Sequence, residues 1–122
     1  MLPHFLDFLR FHWDTVEATL VDKRYDKFVN AGDDAFQRWE YMVELPGRDG
    51  TPVRLTFKEY TVVVDPPPVG SPVSVRVNRR RTKAMFDLRD PRVNRSMQVD
   101  AQLEAQRAVD EERFRKKLDE QL

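Results

Sequence analysis

Two histidines, His4 and His12, stand eight residues apart with Asp7 and Asp14 beside them, within reach of one helical face. A metal held there would need further ligands from elsewhere, and the chain has no cysteine to supply one. Polar positions on an amphipathic helix account for the pair better, so no metal or cofactor is expected. The three serines, Ser71, Ser74 and Ser96, lie outside any G-x-S-x-G elbow, and Ser71 sits between Gly70 and Pro72 as a turn residue. The four glycines (Gly32, Gly47, Gly50, Gly70) are too scattered to cradle a phosphate. The acidic pairs Asp33-Asp34 and Glu111-Glu112 read as solvated charge in a loop and on a helix. No enzyme is expected.

One basic cluster has some specificity. Arg76, Arg79, Arg80, Arg81 and Lys83, extended by Arg89 and Arg92, fall together in the chain. On a loop between two strands such arginines could make forked contacts with phosphates. Aromatic neighbours for base stacking are scarce, because Phe86 alternates inward with Ala84 and Leu88. Neutralising acidic surface is the favoured role, and nucleic-acid binding through Arg76–Arg92 is the alternative. A second cluster is aromatic: Phe5, Phe8, Phe11 and Trp13 exceed what one face of a short helix needs. They would plug one end of a β domain or enter a groove on a partner.

The 122 residues fit one domain, large enough to bury a core without staples. Net charge is zero, from 21 basic and 21 acidic residues. Its distribution is uneven: net −3 over residues 1–60, +4 over 61–93 and −1 over 94–122. A balanced total argues against a chain that coats nucleic acid. No apolar run approaches the 18 or so residues of a membrane span. The apolar start lacks the basic flank and cleavage site of a signal peptide, so it is taken as mature chain, with the cytoplasm as default compartment.

Periodicity supplies the elements that would position these residues. Leu2, Phe5, Leu6, Leu9 and Trp13 keep near-helical spacing, which predicts a short helix from Pro3 to about His12. Alternation then predicts strands over residues 16–21, 38–45 and 53–60, the last two forming a hairpin around Pro46–Pro52. Residues 22–34 read as a charged connection. Thr61–Val64 is a short strand or an extension, ended by Pro66-Pro67-Pro68. Val73, Val75 and Val77 mark another strand, and Ala84, Phe86 and Leu88 a last one. Trp39, Tyr41, Phe57, Phe86 and the valines supply the core.

Asp90-Pro91 reads as N-cap and first helical residue, and no glycine or proline follows to Leu122. A step of about 3.6 residues from Val93 picks out Met97, Ala101, Ala105, Ala108, Phe114, Leu118 and Leu122. The helix would run on the order of 45 Å, more than a small barrel can cover, so part of it should project or meet a partner.

Val69-Gly70-x-x-Val73-x-Val75-x-Val77, with Ala84-x-Phe86-Asp87 and Asp90-Pro91, resembles a strand pair of small β-domain proteins of bacteria, especially actinobacteria. The likeness covers residues 62–91. Asn78 and the arginines stand where those proteins often have Tyr and Pro. It implies a small β domain and assigns no functional residue.

The expected architecture is mainly β with flanking helices. Residues 1–90 make a small antiparallel barrel or sandwich of five or six strands with its N-terminal helix, and residues 91–122 a helical extension. The expected function is non-enzymatic: a protein-interaction or assembly subunit, binding a partner or itself. Its surface would be Met97, Ala101, Phe114 and Leu118 of the long helix, with Phe5, Phe8, Phe11 and Trp13.

Overall fold

The computed structural model describes residues 13–32 and 34–120. The expected N-terminal helix, with Phe5, Phe8 and Phe11, lies outside the described residues.

The described chain is mainly antiparallel β. Its strands are β1 (Asp14–Ala31), β2 (Asp34–Pro46), β3 (Pro52–Tyr60), β4 (Pro72–Val77) and β5 (Ala84–Phe86). One helix follows, α1 (Arg95–Asp119). The five strands form one sheet in the order β3-β2-β1-β4-β5. Two-residue alternation puts one side of each strand inward: Ala18 and Leu20, Tyr41, Val43 and Leu45, Val73, Val75 and Val77, then Ala84 and Phe86 are all buried. Cross-strand pairs such as Val16 with Val75, Ala18 with Val73 and Leu20 with Val43 tie these positions together. The sheet curls until β3 and β5 face each other, a nearly closed barrel. Side chains bridge that gap, with the Phe57 and Phe86 rings edge-to-face at 4.8 Å.

Two expectations about the strands need correction. Residues 22–31 are no connection: β1 continues through them and pairs with β2 as far as Ala31 and Asp34. Register shifts between Leu20 and Asp22 and between Tyr25 and Lys27 break the alternation that would have announced the strand. Past Thr19 β1 has also left β4 behind, so this end of the hairpin meets water and carries charge. Arg24 pairs with Glu40, and Asp26 is held between Arg38 and Lys58. Such charges also protect an open strand edge from pairing with another chain. Thr61–Val64, for its part, is a turn closed by Val63 and Val64 N–H groups on the Tyr60 carbonyl at 3.0 and 3.2 Å. Only Val64 keeps a β-contact, a single bridge to Asn94.

The β2–β3 turn rests on one glycine. A Cβ on Gly47 would meet the Thr51 carbonyl oxygen at 2.7 Å and Val53 Cγ2 at 2.9 Å. The Gly47 N–H also donates to that carbonyl at 2.8 Å, so the backbone cannot retreat without losing the bond. Gly47→Ala should therefore cost about 1–3 kcal/mol, measured by urea unfolding, as other insertions into filled space do. A neutral result would show that the turn has an alternative conformation of equal energy.

Candidate functional site

The segment between β5 and α1 shows how the helix is attached. The Asp87 carboxylate accepts from Ser74 Oγ at 3.1 Å, from the Arg89 N–H at 3.1 Å and from Arg89 Nε at 3.0 Å. Three residues on, Asp90 repeats the pattern: it accepts from the Ser74 N–H, the Arg92 N–H and Arg92 Nε, each at 2.9 Å. Arg92 reaches on to both Glu17 oxygens of β1 at 2.6 and 3.0 Å, and Arg89 Nη2 donates to Thr15 Oγ1 at 2.9 Å. Burial pushes both aspartates' pKa values up. The arginine side chains and the N–H groups outweigh it, and both carboxyls lie below the ordinary value of 3.8. The hydrogen bond from Arg92 likewise holds Glu17 below its ordinary 4.5. These are anions closed off by cations, suited to fixing a junction.

This network moves the start of the helix. With its carboxylate engaged by β4, Asp90 is no N-cap, and residues 91–94 form a turn that drops Val93 into the core with Val64. Asn94 caps instead, its Oδ1 accepting from the Met97 N–H at 3.1 Å. Arg95 N–H donates to the Val63 carbonyl at 3.1 Å, and Gln98 Nε2 to the carbonyls of Asp65, Pro91 and Arg92 at 3.0–3.1 Å. Leu88, expected to face inward, points to solvent for the same reason.

Beyond Gln98 the helix carries its own weight. It has 25 residues, about 37 Å at 1.5 Å per residue, and none of them is buried. Arg107–Glu104, Arg113–Asp110 and Arg115–Glu112 are exposed pairs three residues apart, worth little individually. Met97, Phe114 and Leu118, expected as partner-binding residues, are exposed, Phe114 at 69%. Ala101 is exposed with them. Val99 and Leu103 (63% exposed) belong to the same apolar surface and were missing from the expected stripe, whereas Val109, also exposed, lies about 140° from Phe114 at about 100° per residue. At about 100° per residue, Val99, Leu103, Phe114 and Leu118 fall within one sector about 100° wide. Ala101 lies about 140° from Phe114 on the same count. The signal that locates the sector is the 4-11-4 spacing of these four residues, which a strict 3.6 step from Val93 does not follow.

The arginine cluster is divided by the fold. Arg89 and Arg92 are neutralised by Asp87, Asp90 and Glu17, and Arg81 lies 3.7 Å from Asp14. Arg76 stands opposite Thr15 in the β1–β4 register. Arg79, Arg80 and Lys83 are exposed on the β4–β5 turn. That turn is shaped by Asn78, whose Oδ1 accepts from the Thr82 and Lys83 N–H groups at 2.9 Å. Trp13, the described member of the aromatic cluster, is partly buried just ahead of β1. Farther along the β1–β2 hairpin, Tyr25 packs edge-on against Trp39 at 5.8 Å, with the Lys23 ammonium 5.2 Å from the Trp39 ring.

Among the described residues no group of three or more metal-ligating side chains is placed to hold an ion. No helix among them is long and apolar enough to cross a membrane. No protein-family model, curated protein or solved structure matches the chain.

Proposed function

We propose that the protein is a non-enzymatic interaction or assembly subunit, a small barrel that holds out α1 for a protein partner. One observation carries this reading: a 25-residue helix with no buried residue keeps six large apolar side chains in water. A helix alone in water is marginal, and its stability in proteins comes mostly from packing an apolar face. Each Leu or Phe covered by a partner contributes about 1.5–3 kcal/mol. The bonds from Asn94, Arg95 and Gln98 to the barrel give the helix a defined exit, as a presenting element requires. We place the protein in the cytoplasm on the same footing, since a cysteine-free chain needs no oxidising compartment. The kinship of residues 62–91 with small bacterial β domains belongs to the same proposal. The alternative, nucleic-acid binding through Arg76–Arg92, has less support, because Asp14, Asp87, Asp90 and Glu17 already engage Arg81, Arg89 and Arg92.

Truncation after Gln98 tests the reading, because it keeps the helix cap and its bonds to the barrel. The shortened chain should unfold at the same urea concentration as the full chain. It should lose every association that the full chain shows in sedimentation velocity and in cross-linking within its native extract. Identical oligomeric state and identical cross-linked partners in both chains would overturn the proposal.

A further inference from the structure

We infer that the partner of α1 is the α1 of a second copy, laid antiparallel across a two-fold axis between Ala108 and Val109. This inference rests on the interaction reading above and specifies its occupant. The sequence of the exposed helix is complementary to itself in reverse about that point. Val99 and Leu118 are equidistant from it, as are Leu103 and Phe114, and Arg107 and Asp110. All six lie in one sector of the helix about 100° wide. In an antiparallel pair each of these combinations occurs twice, so two apolar layers at each end flank a centre of crossed Arg107–Asp110 ion pairs.

The charges choose the direction. Residues 99–112 carry five carboxylates and one guanidinium, whereas residues 113–117 carry four cations and no anion. Antiparallel pairing lays the acidic stretch of one copy alongside the basic stretch of the other, a net attraction between the two halves of the helix. Parallel pairing in register would face Arg107 with Arg107 and Asp110 with Asp110, and like charges so placed are costly. The exposed pairs within one helix, Arg113–Asp110 at 3.1 Å and Arg107–Glu104 at 3.9 Å, give up little when exchanged for bonds between copies. Pairing begins at Val99, one residue past the last helical side chain bonded to the barrel, and the two barrels sit at opposite ends.

The absence of native cysteine makes a disulfide test clean. The full-length chain should sediment as a dimer. L103C and F114C proteins should each resist self-crosslinking under mild oxidation, yet form a disulfide with one another when mixed. Arg107→Asp alone should weaken the dimer at least about tenfold, because it sets two carboxylates face to face. Mixing that variant with Asp110→Arg should restore association. Efficient self-crosslinking of L103C would overturn the antiparallel arrangement. A full-length chain that stays monomeric at all concentrations would overturn self-pairing altogether. If such a monomer still lost a cross-linked partner on truncation after Gln98, the broader interaction reading would survive while this one failed.

Discussion

Phe86→Ala should lower the stability of the barrel by about 3–5 kcal/mol, the range for removing a buried aromatic ring. Phe86 is 3% exposed, on a strand of only three residues. Its ring meets Tyr41 at 5.0 Å and Phe57 at 4.8 Å, both edge-on. The contact with Phe57 brings the first and last strands of the sheet together, where hydrogen bonds do not. Alanine would leave a cavity at that gap and remove two ring contacts, each worth about 0.5–1.5 kcal/mol beyond burial. Urea unfolding measures the loss, and Phe86→Leu should fall between the two. Tyr41 offers a second readout, since burial, helped by Glu59 and Asp65, pushes its phenol up to about 12. In the alanine variant it should titrate closer to its ordinary 10.0. A stability loss below about 1 kcal/mol would mean that Phe86 does not close the barrel.

Asp90→Ala should cost about 2–3 kcal/mol, because it orphans the Ser74 N–H and removes one of the two carboxylates that hold Arg92. The figure sits below the range for a fully buried ion pair because the Arg92 side chain is 39% exposed. Acid should produce the same weakening in the native protein. Asp87 and Asp90 are held below 3.8, so under that pH the unfolded chain takes up protons that the folded chain refuses. The stabilisation is complete above the ordinary carboxylate value and disappears as pH falls through the lowered folded values. Urea midpoints measured from neutral pH into this acid range should fall for the native chain and fall less steeply for Asp90→Ala. Parallel pH profiles for the two proteins would show that Asp90 does not titrate in this way. Because Asp90 also positions the turn before Asn94, the variant should loosen the exit of α1, seen as faster amide exchange at Arg95–Gln98.

Much of the barrel was legible in the residues themselves. Where one strand face is buried and the other wet, side chains must alternate, and Trp39–Leu45, Val53–Phe57 and Val73–Val77 do so. The hairpin around Gly47 and Gly50 followed from turn chemistry in the same way, and the long helix from a stretch without glycine or proline. Features that depend on contacts between distant segments were not legible. The outer half of β1 looked like a loop because two bulges shift its phase and water meets both of its faces. Asp90-Pro91 looked like a helix start because local preference cannot know that the carboxylate is claimed by the Ser74 N–H, sixteen residues earlier.

The arginines divide along the same line. Their clustering between Arg76 and Arg92 is written in the chain. Which of them are neutralised was decided by the fold, which brings Glu17 and Asp14 of β1 beside a segment more than sixty residues away. For α1, the sequence by itself determined the helix, its apolar residues and their reversed symmetry, since these depend only on spacing along a single axis. Only the tertiary structure decided that this face stays open, because whether a helix packs on its own domain depends on the direction in which its junction sends it. Here the junction from Asp87 to Gln98 bonds the first turn to the barrel and leaves the rest of α1 exposed.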